Sequence, residues 1–347
     1  MFPIYLMSQI SEMSPSKSQL LDNHNRPINY LRLAVTDRCN LRCFYCMPAD
    51  GIRYLPKKEL LTFEEIERLV TLLASMGISK IRLTGGEPFV RTDLIKLISA
   101  IVEIPGIRDV HLTTNGVLTS RYLPELKRLG IASVNLSMDT LDRDRFNDIT
   151  RRNEFDQVLK TLNGLLENEI PVKINAVVME GKNTDDLLPL VELTKNSPVS
   201  VRFIEEMPFN GEGSHYAKLT WTYKKILEHI RIAYPSIEKI SDPENSTAYH
   251  YRIPGHKGDL GIIAAFSRTF CGTCNRIRIT AQGGLKTCLY DHGVLDIKQL
   301  LRSGQSDDTL RHALLNAFSH RPKDGFEAEA LRGKSLPVHE SMSTIGG

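Results

Sequence analysis

Two periodicities of apolar and polar residues alternate along the chain. Short segments with a period of two are typical of strands, and longer segments with apolar residues every three or four positions are typical of helices. The pattern predicts six strands, at residues 30–36, 80–84, 109–113, 133–137, 172–178 and 200–205. It predicts helices between them at residues 63–76, 92–102, 120–129, 155–168 and 185–194.

Local signals predict both ends of the first helix. Thr62 is a good N-cap, and Glu65 three residues later completes a capping box. Gly77 ends the helix, because glycine readily adopts the left-handed conformation that terminates helices.

Alternation of strands and helices predicts an α/β fold with a parallel sheet. Six units predict a partial (βα)6 barrel of the TIM type, because a closed barrel needs eight and no further unit follows residue 206. Beyond residue 206, the pattern predicts helices at 221–232, 295–303 and 307–318 and short strands at 249–253, 258–265 and 275–280. The predicted organisation is a flexible N-terminal tail (1–27), the partial barrel (28–245) and a C-terminal region (246–347).

The predicted strands carry polar residues on one face. Strands of a parallel sheet covered on both sides are almost continuously apolar, whereas five of these strands have polar side chains at alternate positions. These are Arg32 and Thr36, Arg82 and Thr84, His111 and Thr113, Ser133, Asn135 and Ser137, and Lys173 and Asn175. Any single one could lie at a strand end or in a hydrogen-bonded core. The agreement of five strands favours a polar interior that holds a ligand.

Composition and charge are typical of a globular protein. The chain has 347 residues, 41% hydrophobic and 24% charged, and a net charge of +3. A net charge this small does not indicate a nucleic-acid-binding protein. The sequence lacks an apolar run near the roughly 18 residues that span a bilayer, and its start lacks the basic region of a signal peptide. We therefore expect a cytoplasmic protein without membrane or nucleic-acid partners.

The six cysteines fall into two groups of three. Thiolates select iron–sulfur clusters, zinc or copper(I), and sparse cysteines without a secretory signal favour metal ligation over disulfides. A structural zinc site would need a fourth ligand nearby, whereas three ligands leave one position open for chemistry. The groups are Cys39, Cys43 and Cys46, and Cys271, Cys274 and Cys288.

The first cysteine group has the sequence CNLRCFYC, which begins at Cys39 just after the first predicted strand. This spacing resembles the motif of the radical S-adenosylmethionine (SAM) superfamily, with Tyr45 at its aromatic position. The resemblance implies a [4Fe-4S] cluster whose fourth iron chelates SAM, and an electron from the cluster would release a 5′-deoxyadenosyl radical. The segment TGGEP after the second strand resembles the methionine-binding part of the superfamily, with Gly86 as the backbone contact. A zinc knuckle is the alternative.

The second cysteine group is followed by two arginines on one face of a predicted strand. Cys274, Arg276 and Arg278 alternate, so their side chains project together. Guanidinium groups bind phosphate through paired hydrogen bonds, so this face suits a phosphorylated ligand beside a cluster. The alternative is a zinc ribbon with surface arginines.

From residue 27 to 347 the chain resembles one family, the GTP 3′,8-cyclases (MoaA) of molybdenum cofactor biosynthesis. The resemblance covers both cysteine groups, TGGEP, RFIEEMP at 202–208, CNRIR at 274–278 and the terminal Gly346-Gly347. It implies a second [4Fe-4S] cluster in the C-terminal region, whose open iron binds the purine of GTP. The implied SAM contacts are Tyr45, Gly86, Ser137 and Met207, and the implied GTP contacts are Arg32, Arg82, Thr113, Lys173, Arg276 and Arg278.

The same resemblance implies the reaction and its partners. The radical abstracts the ribose 3′ hydrogen of GTP, and the 3′ carbon attacks C8 of guanine to give (8S)-3′,8-cyclo-7,8-dihydroguanosine 5′-triphosphate. A homodimer, an electron donor and cyclic pyranopterin monophosphate synthase, which takes the product onward, are implied as partners. The Gly-Gly end would reach into the active site. Lys173 could equally neutralise a nearby carboxylate.

Two other functions compete with the cyclase. A radical enzyme that modifies a peptide or a sulfatase generally needs more cysteines downstream than the three present here. A zinc or iron–sulfur regulator that binds nucleic acid needs a basic stripe, which is not evident in a chain of net charge +3. The cyclase is therefore the favoured hypothesis.

Overall fold

The computed structural model describes residues 19–207, 219–332 and 341–346, which form twelve strands and eleven α-helices. The strands are β1 (Tyr30–Ala34), β2 (Lys80–Thr84), β3 (Asp109–Thr114), β4 (Ser133–Ser137), β5 (Val172–Val178), β6 (Ser200–Glu205), β7 (Glu238–Lys239), β8 (Ala248–Arg252), β9 (Asp259–Ile263), β10 (Arg276–Ile279), β11 (Gly284–Lys286) and β12 (Leu295–Asp296). The helices are α1 (Phe63–Met76), α2 (Leu94–Val102), α3 (Leu123–Arg128), α4 (Arg143–Thr150), α5 (Phe155–Glu167), α6 (Leu187–Asn196), α7 (Tyr223–Ala233), α8 (Ile297–Arg302), α9 (Asp307–Phe318), α10 (Gly325–Leu331) and α11 (Met342–Ile345).

All strands belong to one sheet, in which β1 to β6 are parallel neighbours in numerical order. This confirms the predicted α/β fold with a partial barrel. The sheet is larger than predicted, because β10 pairs in parallel with β1 and β9 pairs in parallel with β6. Antiparallel strands continue on both sides, so that among the described residues the sheet is open and ends at β12 and β7. It also continues across the predicted boundary at residue 245.

The first helix begins and ends as predicted. The Thr62 hydroxyl accepts a hydrogen bond from the Glu65 N–H at 3.2 Å, and the Glu65 carboxylate accepts one from the Thr62 N–H at 2.8 Å. Gly77 has a φ of 118°, in the left-handed region that ends helices.

Helix α4 was not predicted, because its segment is strongly polar. Phe146 and Ile149 supply its large buried side chains, too few to show a helical period. Asp142 nevertheless caps the helix by accepting a hydrogen bond from the Arg145 N–H at 2.8 Å.

The hydrophobic core lies between the sheet and the helices. In β5, Val172, Ile174, Ala176 and Val178 are buried, and the side chains between them face a cavity inside the sheet. Burying each large apolar side chain stabilises the fold by about 1.5–3 kcal/mol. The sheet thus separates an apolar core from a more polar interior, as predicted. Every helix in the described ranges is too short or too polar to span a membrane.

The predicted N-terminal tail is too long. Residues 1–18 lie outside the described part of the chain, but Leu21 and Pro27 form a β-bridge. Asp22 and Arg26 between them are buried and form an ion pair at 2.7 Å. Residues 21–27 therefore belong to the folded domain. The prediction was wrong there because their partners lie near the other end of the sequence.

Candidate functional site

One cavity of ≈ 460 Å³ occupies the inside of the sheet. Its walls contain every residue that the sequence predicted for the site. These are Cys39, Cys43, Cys46, Cys271, Cys274 and Cys288, the predicted SAM contacts Tyr45, Gly86, Ser137 and Met207, and the predicted GTP contacts Arg32, Arg82, Thr113, Lys173, Arg276 and Arg278.

The two cysteine groups lie at opposite edges of the sheet. Cys39 follows β1, so the first group lies at the carboxyl edge of the parallel strands. Cys274 precedes β10, which runs parallel to β1 with Arg276 beside Tyr30, so the second group lies at the amino edge. The length of β1, about 13 Å of strand, separates the two edges. A ligand inside the sheet can therefore be approached from both groups.

Glycines allow the turn after β2 to pack against the backbone of the first cysteine loop. A Cβ at Gly86 would lie 2.3 Å from the Arg38 carbonyl oxygen, and a Cβ at Gly85 would lie 2.3 Å from the Thr36 carbonyl oxygen. The Gly86 N–H donates to the Thr36 carbonyl at 2.9 Å, and the Glu87 N–H donates to the Arg38 carbonyl at 2.8 Å. Because Gly85 and Gly86 have no side chains, the turn can pack closely enough to position the first cysteine loop. This role of Gly86 is separate from any contact that it makes with a ligand.

We expect Gly86→Ala to displace the first cysteine loop. The new methyl group would meet backbone atoms of Arg38 and Asp37, at 2.3 and 2.9 Å, which side-chain rotation cannot relieve. Such overpacking costs about 1–3 kcal/mol, so Tm and the iron bound after anaerobic reconstitution should both fall. Gly272→Ala is the control, because a Cβ at Gly272 meets no atom within 4 Å. Equal losses in both variants would contradict the argument.

Glu87 joins the turns after β2 and β3. Its buried carboxylate accepts hydrogen bonds from the Phe89 N–H at 3.1 Å, the Asn115 N–H at 2.7 Å and the Thr114 hydroxyl at 2.8 Å. Burial raises the pKa of this carboxyl to about 7 despite these donors. The Asn115 side chain also donates to the sulfur of Cys39 at 3.6 Å. Asn115 is thus a site residue that the sequence did not reveal.

The three thiols of the first cysteine group all have raised pKa values. Burial raises the pKa of Cys39 to about 11 and that of Cys46 to about 12, and it raises the pKa of Cys43 well above its usual value. Metal binding must displace these protons, because thiolates are the ligands. Tyr45 lies beside the group and donates to Asp139 at 2.8 Å.

In the second cysteine group, Cys274 has a different electrostatic environment. Burial raises the pKa of its thiol, but the charges of Arg276 and Arg321 outweigh burial and lower it to about 6. Burial raises the pKa of Cys288 to about 11 and raises that of Cys271. In the described residues, no three His, Cys, Asp or Glu side chains are arranged to hold one metal ion as they stand. The cysteine assignments therefore rest on the shared cavity and on thiol chemistry.

Three arginines stand in one row across neighbouring strands of the cavity wall. The register places Arg32 of β1 beside Arg278 of β10 and beside Arg82 of β2, and neighbouring strands are about 4.8 Å apart. Burial and the charge of Arg278 lower the pKa of Arg32, and burial and the charge of Arg276 lower the pKa of Arg278 to about 10. Arg82 and Arg278 are buried and Arg32 is half-buried, and like charges this close together and largely removed from water favour binding of a compensating anion.

Two further cations lie on β5 and β6. Burial, together with the charges of Arg202 and Arg82, lowers the pKa of Lys173 to about 8. Burial and the charge of Arg82 lower the pKa of Arg202 to about 10. The charged groups that act most strongly on Lys173 are cations, which favours binding of an anion over neutralisation of a nearby carboxylate. The sequence analysis missed Arg202, although alternation with Ser200 and Ile204 in β6 would have placed it on the polar face.

Several buried polar atoms on the cavity wall lack a hydrogen-bond partner among the described residues. They are Arg32 Nε, Thr113 Oγ1, Asn135 Oδ1, Asn175 Oδ1 and Arg202 Nε. Buried polar atoms normally have partners, so this set fits a polar ligand. Three residues of the predicted polar face, Thr36, His111 and Ser133, do not line the cavity. His111 and Ser133 share a hydrogen bond at 2.7 Å near the amino ends of β3 and β4.

The C-terminal residues 341–346 fold back into the cavity. The Ser341 hydroxyl donates to the Cys46 carbonyl at 2.6 Å, and Arg278 donates to the Gly346 carbonyl at 2.5 Å. A Cβ at Gly346 would lie 3.0 Å from the Thr84 side chain. The end of the chain therefore reaches the candidate site, as predicted, as far as Gly346. Gly347 lies outside the described residues.

Comparison with known proteins first defines the class. Residues 33–194 match the radical SAM superfamily, and residues 199–326 match the family described as Molybdenum Cofactor Synthesis C. The structure is similar to Streptococcus suis SuiB, with a TM-score of 0.62, 15% identity and coverage of 89% of this chain and 69% of that chain. At this identity the likeness shows the fold alone, which is that of a radical SAM protein. The superfamily uses a [4Fe-4S] cluster and SAM.

Curated relatives narrow the class to one family. GTP 3′,8-cyclase of Desulforamulus reducens is 40% identical over 94% of this chain and 100% of its own length. The mitochondrial GTP 3′,8-cyclase of Arabidopsis thaliana is 39% identical over 89% and 80% of the two chains. Molybdenum cofactor biosynthesis protein 1 of Bos taurus is 43% identical over 89% of this chain, which spans about half, 49%, of that relative. The chain belongs to the GTP 3′,8-cyclase family of molybdenum cofactor biosynthesis proteins.

Proposed function

We propose that this protein converts GTP to (8S)-3′,8-cyclo-7,8-dihydroguanosine 5′-triphosphate, the first step of molybdenum cofactor biosynthesis. The observation that carries the proposal is the row of buried Arg278, half-buried Arg32 and buried Arg82 between two groups of three cysteines. A triphosphate supplies the negative charge that this row requires, and guanidinium groups bind it through paired hydrogen bonds. The family relationship supports the choice of GTP and of the reaction.

The donor sets fit two [4Fe-4S] clusters. Each group presents three thiols to the cavity, and three thiolates leave one iron free for another ligand. When bound, the first cluster and SAM supply the radical that abstracts hydrogen from the substrate. Cys39, Cys43 and Cys46 would hold the first cluster, and Cys271, Cys274 and Cys288 the second.

The residues assigned to SAM lie where the parallel strands end. Tyr45, Gly86, Ser137 and Met207 follow or end β1, β2, β4 and β6 and line the same cavity. The hydrogen bond from the Tyr45 hydroxyl to Asp139 holds this side chain beside the first cysteine group. SAM would therefore bind at the carboxyl edge of the sheet, which is the usual ligand edge of parallel folds.

The residues assigned to GTP lie further from the carboxyl edge of the sheet than those assigned to SAM, and they lie nearer the second cysteine group. Arg276 and Arg278 on β10 and Arg32 and Arg82 beside them would bind phosphate oxygens, and Thr113 and Lys173 add a hydroxyl and an ammonium group from β3 and β5. Apolar Leu41, Val177 and Ile204 also line the cavity and would exclude water from the radical. With GTP bound in this way, the ribose would lie between the two cysteine groups.

Other expectations from the resemblance belong to the same proposal. They are a homodimer, an electron donor, a cytoplasmic location, and cyclic pyranopterin monophosphate synthase as the enzyme that consumes the product. The division at residue 245 would separate the part that carries the first cysteine group from the part that carries the second, and both parts would contribute residues to the GTP site.

The direct test is anaerobic incubation of reconstituted protein with SAM, a reductant and GTP. We expect 5′-deoxyadenosine and the cyclised nucleotide to form together, and ATP in place of GTP to give no cyclised product. SAM cleavage that never yields a nucleotide product, from protein that holds both clusters, would instead favour a peptide-modifying radical enzyme.

A further inference from the structure

Three buried charged residues, Asp22, Arg26 and Arg321, lie beside the second cysteine group, and we call them the charged triad. Their exposed fractions are 5%, 6% and 3%. Asp22 Oδ2 accepts hydrogen bonds from Arg26 Nε at 2.7 Å and from Arg321 Nη1 at 3.3 Å. Two guanidinium groups and one carboxylate leave a net positive charge next to the cysteines.

Arg321 uses all five of its N–H donors. Nε donates to the Thr287 carbonyl at 2.9 Å, Nη1 to the Cys274 carbonyl at 2.9 Å and to Asp22, and Nη2 to the Arg276 carbonyl at 2.7 Å and the Cys274 sulfur at 3.1 Å. Because Thr287 directly precedes a cysteine of the group, one side chain connects both segments that carry it. A lysine has three donors on one nitrogen and cannot reproduce this planar arrangement.

Arg26 donates a hydrogen bond to the backbone of Cys271, the remaining cysteine of the group. Its Nη1 donates to the Cys271 carbonyl at 3.1 Å, and its Nη2 donates to the Pro322 carbonyl beside Arg321 at 2.8 Å. Residues 22–27, which the sequence assigned to a tail, therefore help to hold the loop of the second group.

We propose that Arg321 is a positioning residue that orients the Cys274 sulfur and raises the reduction potential of the second cluster. This inference rests on the proposed second cluster. A hydrogen bond to a ligand sulfur and a nearby positive charge stabilise the more negative, reduced state of a cluster. Asp22 opposes this effect, because its charge partly offsets that of Arg321. Removing Arg321 or Asp22 should therefore shift the potential in opposite directions.

The test uses the full chain with Cys39, Cys43 and Cys46 replaced by serine, so that only the second cluster contributes. Arg321→Gln and Asp22→Asn are introduced into this background and followed by iron analysis and by redox titration monitored by EPR. We expect Arg321→Gln to make the potential more negative and Asp22→Asn to make it more positive. Arg321→Lys retains the charge but loses the planar donors, so it should change the EPR spectrum and shift the potential less than Arg321→Gln.

Arg302→Gln is the matched control. Arg302 also donates to two carbonyls, those of Lys58 and Leu60, and pairs with Glu65, but these partners lie away from the cysteines. It should leave both the potential and the EPR spectrum unchanged.

The outcomes separate this inference from the proposed function. An unchanged potential and spectrum in Arg321→Gln, at full iron content, would overturn the role of Arg321, and so would shifts of the same sign in Arg321→Gln and Asp22→Asn. Loss of iron from Arg321→Gln, with iron retained in the control, would support the orienting role, and Asp22→Asn would then decide the effect on the potential. A parent background that binds no iron would reject the second cluster itself.

Discussion

Replacing Cys39, Cys43 and Cys46 with serine is expected to abolish formation of 5′-deoxyadenosine and to lower the bound iron from about eight to about four per chain. Serine offers a hard oxygen in place of a soft thiolate, so the first cluster has no ligands and SAM is not cleaved. Iron and sulfide analysis after anaerobic reconstitution measures the first effect, and chromatography of the reaction with SAM and reductant measures the second.

The matched control replaces Cys271, Cys274 and Cys288 with serine. We expect this variant to bind about four irons as well, to retain some SAM cleavage and to form no cyclised nucleotide. The two variants are thus expected to lose the same amount of iron. The first variant loses SAM cleavage, whereas the second loses cyclisation of GTP. About four irons in the unmodified protein, or stoichiometric zinc in anaerobically isolated samples, would reject the two-cluster interpretation.

Arg276→Ala and Arg278→Ala are expected to lose the GTP product while still supporting uncoupled SAM cleavage. Each removes charge-assisted hydrogen bonds worth about 1.5–3 kcal/mol apiece, and a loss of about 2.8 kcal/mol corresponds to roughly 100-fold weaker GTP binding. Arg278 also holds the Gly346 carbonyl, so Arg278→Ala should free the end of the chain as well. The first cysteine group lies at the other edge of the sheet, so radical generation should persist.

Binding of GTP by calorimetry and product formation, each at measured iron content, test this prediction. Arg278→Lys keeps the charge without the planar fork and should fall between the parent and Arg278→Ala. Arg302→Ala serves as the control, since Arg302 pairs with Glu65 outside the cavity. Unchanged product formation in Arg276→Ala and Arg278→Ala would remove both arginines from the site.

Most secondary structure followed from local signals. The bounds of α1 were predicted because its capping box and terminal glycine each depend on a few adjacent residues. Strands β2, β4, β5 and β6 have their predicted bounds, because period-two alternation is visible within a single strand. Helix α4 has too few apolar residues to show a period and was missed.

Strands β9 and β10 show where local patterns stop being informative. Both were predicted approximately as short strands, but not as parallel neighbours of β6 and β1. β10 pairs with β1 across most of the chain, and a pairing over such a separation leaves no trace in the pattern of either strand. The predicted partial barrel was therefore correct in type and too small in extent.

The sequence by itself determined the chemistry that is available: two groups of three thiols, a glycine turn and a set of lumen cations, all defined by residue type and short spacing. Tertiary structure alone decided how these parts meet. Strand register put Arg278, Arg32 and Arg82 in one row, and the fold brought Asp22 to Arg321, 299 positions away. Local patterns cannot contain such contacts, because their free energy comes from residues that meet only when the sheet is assembled.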